Sequence, residues 1–377
     1  MSSNKTANLF MHSWTGSDMV NFNEINENFN ILDAKVGSSS SKILNGEVVE
    51  AKGFDYNGFN FTSIVPGDFQ SQRSKDLLDY GKSTKMDSVA IVCTWFMNTP
   101  TSTTISRDSA KTVPDADIIQ AIRDAKARGY KVILKPHVDV KDDSWRGSII
   151  PSDMDAWFSS YNTFILTYAQ IAQSESVDVF CIGTELKSMT GSDSKKEKWL
   201  PVISNIKSVY TGKLTYAATA MNSDDYEEYL LLGFWDQLDY AGLDVYFKLI
   251  PSGNTDPTPA EIAAAWSANS EGRDMLKKIT DWQKTHGKPV LFTEIGCTVY
   301  NGSAQNPGQF TVSNTIDTQE QADYVEAMFI VWLSQSSWLK GILWWRLAFN
   351  SSDAFTFENR PSAQVFTDWI SHTKGVI

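Results

Sequence analysis

Residues 114–140 read PDADIIQAIRDAKARGYKVILKPHVDV, and the order of elements in this stretch sets the architecture. Pro114 and Asp115 suit the start of a helix, where a fixed φ and an acidic group are both favourable. Helical periodicity runs over 115–128, and Gly129 supplies the C-terminal stop. The run KVILKP at 131–136 then has the length and composition of a buried strand. From residue 42 onward the pattern recurs. Further strands are predicted over 49–54, 88–96, 177–184, 214–220, 240–246, 289–293 and 341–346, and further helices over 155–173, 195–210, 259–285 and 319–335. Eight strands separated by helical stretches imply a parallel sheet, and eight such units close into a (β/α)8 TIM barrel. An open doubly wound sheet is the alternative, but no GxGxxG or GxxxxGK[ST] run follows any strand.

Composition narrows the function. Of 377 residues, 42% are hydrophobic and 21% charged, enough apolar content for a large core. The net charge of −12 leaves no basic face for phosphate backbones, so nucleic-acid binding is not expected. Cys93, Cys181 and Cys297 lie in apolar strand-like runs and are expected to be buried thiols. The four histidines are scattered without HExxH or CxxC partners, so neither a metal site nor a cofactor is expected. The N-terminus has no signal-peptide pattern and no stretch approaches a membrane span, so a virion or extracellular location would be reached without a signal peptide.

Residues 1–41 form a unit apart from the barrel of 42–377. Phe22, Ile25, Phe29, Leu32 and Val36 in NFNEINENFNILDAKV have a/d spacing on a short helix, followed by the Gly/Ser linker GSSSS at 37–41. Such a helix either docks on its own domain or joins copies of the chain. The segment resembles N-terminal stretches of bacteriophage tail and baseplate proteins. That resemblance implies a homo-oligomer or a phage-tail partner held through residues 18–36.

In a barrel the reactive groups sit where strands end. The fourth strand ends CIGTE and the seventh LFTEIG, which places Glu185 and Glu294 at the rim. A lone strand-end Glu is commonly a salt-bridge or N-cap residue. Two Thr-Glu dipeptides at the ends of strands four and seven are better read as a catalytic pair. Two carboxylates flanking one bond are the requirement of glycoside hydrolysis, one donating a proton and the other ionised.

The runs LKPHVD (134–139), IGTEL (182–186) and FTEIG (292–296), in this order, resemble the mannanase-type enzymes of glycoside hydrolase family 113, over roughly residues 50–350. The resemblance implies a retaining barrel enzyme with Glu185 as acid/base and Glu294 as nucleophile. It also implies that Tyr246 neighbours the nucleophile, against the alternative of a core tyrosine, and that Trp344 is the platform under the reacting sugar. His137 and Asp139, in step with Lys135, are read as contacts to sugar hydroxyls or as a structural network. Asn222 after strand five and Trp95 at the end of strand two are further substrate-binding candidates. The polar loops 250–258 and 301–314 depart from the family pattern and lie on the active-site face, where loops set specificity.

The expected function is therefore an endo-acting hydrolase of a bacterial surface polysaccharide, carried on a phage tail. The alternatives are a free endo-β-mannanase and a non-catalytic glycan-binding barrel. Glu185→Gln and Glu294→Gln should each abolish cleavage with the fold intact, read by product release and circular dichroism. Near wild-type turnover in both would remove the pair.

Overall fold

The computed structural model describes residues 53–191, 193–221, 224 and 226–374, with four short strand segments before them. The expected helix at 18–36 and its linker lie outside the described residues. Among the described residues no helix is long and apolar enough to cross a membrane.

Eight parallel strands close into a barrel: β1 (Tyr56–Thr62), β2 (Ser88–Met97), β3 (Lys131–Val140), β4 (Val179–Thr184), β5 (Lys213–Ala220), β6 (Ala241–Val245), β7 (Val290–Ile295) and β8 (Leu339–Ala348). Each pairs with its neighbours in sequence, and β8 closes on β1. The (β/α)8 expectation holds. Around the barrel run α1 (Gln72–Ser83), α2 (Asp115–Ala127), α3 (Met154–Ser174), α4 (Asp193–Val209), α5 (Glu228–Leu231), α6 (Pro259–Ala265), α7 (Met275–His286), α8 (Thr318–Trp332) and α9 (Pro361–Lys374). Caps sit where the sequence supplies them. The Asp153 side chain accepts from Ala156 N, and Thr258 with Glu261 closes a capping box.

Two expected elements differ. The stretch 259–285 is two helices, because residues 266–274 break periodicity and Asp274 caps a new start. The first barrel strand is Tyr56–Thr62 rather than 49–54; Glu47–Glu50 instead pairs antiparallel with Ser41–Leu44. YNGFNFT hides as a strand because its inward face is polar. Phe59 and Phe61 pack outward on Tyr130, Phe357, Phe69 and Phe349. Inward-facing Asn60 donates to Thr293 O at 3.0 Å across the barrel.

Most apolar burial lies between strands and helices, with Trp157, Tyr161, Trp199 and Tyr216 packed ring against ring. A smaller cluster of Ala90, Ile133, Val179 and Leu343 plugs the barrel interior. Cys93, Cys181 and Cys297 are buried free thiols.

Gly58 sits where β1 meets β2, and a Cβ there would come 2.2 Å from Ser88 O. Gly58→Ala should therefore destabilise the barrel by about 1–3 kcal/mol. Thermal unfolding checks this, and an unchanged Tm would contradict the close approach.

Candidate active site

On β3 the inward face reads Ile133, Lys135, His137, Asp139, passing from the apolar plug to the open mouth. Lys135 has no solvent exposure, and its Nζ donates to both Asp244 oxygens at 3.2 Å and to Glu294 Oε1 at 2.5 Å. The two carboxylates hold the ammonium proton against burial and push its pKa up. Asp244 also accepts from Thr293 Oγ1 at 2.6 Å. Burial, and then the charge of Glu294, push Asp244 well above the usual carboxylate range.

The second oxygen of Glu294 accepts from Tyr246 Oη at 3.0 Å. His137 Nε2 lies 4.0 Å from Glu294 Oε1 and is buried without a hydrogen-bond partner. Burial, with Arg146 and Lys135 nearby, pushes the imidazole well below its ordinary value, so it is neutral. The Trp345 ring lies parallel to His137 with centroids 6.4 Å apart.

Glu185 follows β4 in a left-handed conformation, φ 52°, an arrangement that costs roughly 1–3 kcal/mol for a residue with a side chain. The flanking backbone is fastened to buried groups. Tyr161 Oη donates to Ile182 O at 2.6 Å, and Leu186 N donates to Tyr216 Oη at 2.9 Å. Tyr216 in turn donates to Glu228 at 2.6 Å, and Glu228 also takes Thr190 Oγ1 and Thr219 N. Glu185 Oε2 accepts from Arg146 Nη1 at 3.3 Å and Trp145 Nε1 at 3.4 Å. Its pKa is pushed up to about 7, chiefly by burial, against the pull of Arg146 and with a further push from Glu294. One buried carboxyl thus holds a proton near neutrality while the other receives donors on both oxygens, the pairing that acid and nucleophile require.

A model of glycoside hydrolase family 113 matches residues 58–360. The chain belongs to this family. It is a glycoside hydrolase. Two solved family 113 β-1,4-mannanase structures are similar, one at 27% identity and TM-score 0.71 over 84% of this chain and 99% of that chain. The other matches at 26% identity and TM-score 0.70, over 85% and 99%. The family 113 β-mannanase of Alicyclobacillus acidocaldarius shares the fold at 23% identity and TM-score 0.72, over 85% and 98%. No curated protein matches the chain.

Of the residues expected at this family 113 site, Glu185, Glu294, His137 and Tyr246 come together at the mouth. Asp139 is present but committed, its Oδ1 accepting from Arg146 Nε at 2.9 Å and Nη2 at 2.6 Å. Asn222 lies outside the described residues.

Two placements are corrected. Trp344 is not the platform: it is buried against Phe329 of α8 and Phe366 of α9, and Trp345 faces the site instead. Counting from inward-facing Leu343 along β8 gives that answer, but an apolar run does not reveal which residue faces in. Trp95 points outward too, donating to Tyr168 Oη at 3.0 Å and packing on Phe164.

The sequence reading missed Lys135 as a charge partner, along with Asp244, Arg146 and Trp145. Asp244 and Tyr246 share a face of LDVY, so the alternation that finds one finds the other. Arg146 and Trp145 come from the loop after β3 and leave no periodic signal. Among the described residues no group of His, Cys, Asp and Glu is arranged to hold a metal ion.

With Glu185 as the proton donor, kcat/KM should fall above about pH 7 as the carboxyl ionises. The Arg146 guanidinium favours the ionised form. In Arg146→Gln the proton is therefore retained to higher pH, and the alkaline limb should move upward. A pH–rate profile checks this, and a limb that stays or moves down would contradict it.

Proposed function

We infer that the chain is an endo-acting, retaining hydrolase of a β-mannan-type polysaccharide, with Glu185 as acid/base and Glu294 as nucleophile. The observation that supports this most directly is the unequal surroundings of the two strand-end carboxyls. Glu294 receives Lys135 and Tyr246, while Glu185 is pushed up to about 7. In the first step Glu294 attacks the anomeric carbon as Glu185 gives its proton to the departing oxygen, leaving a glycosyl-enzyme ester. Esterification removes the charge of Glu294 that raises the Glu185 pKa. Glu185 is then the stronger acid and, ionised, takes a proton from the water that cleaves the ester. The unpartnered Nε2 of neutral His137 suits a sugar hydroxyl, and Trp345 offers an apolar face for the ring above it.

A second reading concerns delivery. The a/d seam and phage-like sequence at 18–36 favour a particle-borne, extracellular depolymerase acting on a bacterial surface glycan. The substrate panel that separates the two contains β-mannans and purified surface glycans, with mass spectrometry of released oligosaccharides and NMR of the first anomer formed. The mannan reading expects oligosaccharides from β-mannan with the β-anomer first. Release only from a surface glycan would transfer the case to the depolymerase, and inversion would overturn the nucleophile role of Glu294.

A further inference from the structure

Among the described residues, most large apolar side chains that stay exposed sit on loops following strands: Ile64 and Val65 after β1, Trp145 and Ile150 after β3, Tyr226 after β5, Phe310 and Ile316 after β7. Exposed apolar groups scattered singly over a surface carry no message, but here they gather on the face that holds the catalytic pair. Trp145 already touches Glu185, and Phe310 is joined to the site by contacts through Arg346 and Trp345. The Arg346 guanidinium carbon lies 5.2 Å from the Trp345 ring centroid and 5.9 Å from that of Phe310. Trp345, Arg346 and Phe310 thus form one strip leading away from His137 and Glu294.

The strip is built rather than loose. Arg346 is fixed by its ion pair with Asp353, Nη2 to Oδ2 at 2.5 Å. Phe310 stands edge to face on buried Phe355, centroids 5.2 Å apart, yet remains 59% exposed. Its loop is fastened at several points. Buried Glu320 accepts from Gly302 N at 2.5 Å and Ala304 N at 2.8 Å. Asn301 Nδ2 and Gln305 Nε2 donate at 2.7 Å to Thr255 O and Asn254 O of the loop after β6. Gly308 lies against Tyr246, where an added Cβ would come 3.3 Å from the Tyr246 Cβ, so the loop passes beside the residue that donates to Glu294.

We propose that Phe310 is the platform of a distal sugar subsite, binding through its exposed face the C–H face of a pyranose unit beyond the one that reacts at Glu294. The proposal rests on the β-mannan reading above and extends it to chain length. An aromatic ring held rigid on a polar loop loses little freedom on binding, and a sugar placed on it removes apolar surface from water. Arg346, close to both rings, offers donors to hydroxyls of the chain running across the strip.

The test compares wild type, Phe310→Ala and Phe310→Trp on mannotriose through mannohexaose. Relative to wild type, Phe310→Ala should lose about tenfold more kcat/KM on mannohexaose than on mannotriose, a contrast set by burial of one aromatic face. Phe310→Trp should restore the dependence on length. Equal losses at every length would mean that the loop merely supports the catalytic pair. No loss at any length would mean that the ring touches no substrate. Either result overturns the subsite while leaving the β-mannan reading standing. Silence of the wild-type enzyme over the whole series would instead overturn the β-mannan reading, and the subsite with it. Equal thermal midpoints for the three proteins guard against reading a folding defect as lost binding.

Discussion

The ammonium of Lys135 lies between Asp244 and Glu294 in the closed interior, and the rest of the site follows from how these charges balance. Removing ions from water costs several kcal/mol each, which the Lys135 contacts offset in part, and burial beside Glu294 pushes Asp244 well above the usual carboxylate range. The remainder is met by oriented donors: Thr293 Oγ1 on Asp244 and Tyr246 Oη on Glu294. Below this layer the barrel is filled by the buried apolar cluster of Ala90, Ile133, Val179 and Leu343. The charge of Glu294 is felt at Glu185, where it adds to burial in keeping that carboxyl protonated near neutrality. Arg146, itself paired with Asp139, sets the opposing pull. The two strand-end carboxyls, Glu185 and Glu294, are therefore coupled through charge.

Much of this was legible as alternation. Along β3, Lys135, His137 and Asp139 share the inward face, as their spacing requires, and on β6 Asp244 and Tyr246 do the same. Strand pairing also slips, and three of the slips adjoin the site. Pairing slips between Cys181 and Thr184 on β4, between Phe292 and Ile295 on β7, and between Trp344 and Leu347 on β8. The slips on β4 and β7 adjoin Glu185 and Glu294, while Trp345 stays in step with inward-facing Leu343. Glu185 and Glu294 could still be found, because a charged residue closing an apolar strand stands out in any register. Trp345 could not, because in LWWR two equal side chains compete and nothing in the apolar run marks which of them faces in.

What the sequence concealed lay in loops and in a polar strand. Arg146 and Trp145 act on Glu185 from a loop whose only local signal is Gly147, where any Cβ would strike the Trp145 ring at 2.3 Å. The first strand was hidden by Asn57, Gly58 and Asn60, which read as a turn. Each has a use in the barrel, Asn57 as a donor to Phe54 O, Gly58 at the close approach to Ser88 and Asn60 as a donor to carbonyls of β7 and β8. Propensity describes a half-buried pleated surface, and a barrel interior rich in charge and hydrogen bonds is a different environment.

The hydrogen bonds joining the loops after β6 and β7 have a consequence for how such an enzyme diversifies. Asn301 and Gln305 satisfy backbone carbonyls at Thr255 and Asn254, so neither loop is an independent insert. Exchange of one alone would strand acceptors on the other and leave the shared surface without its shape. Exchange of the two segments as a pair is expected to preserve these contacts. A barrel that recombines them together acquires a new binding wall in one step, with the charged interior beneath it untouched.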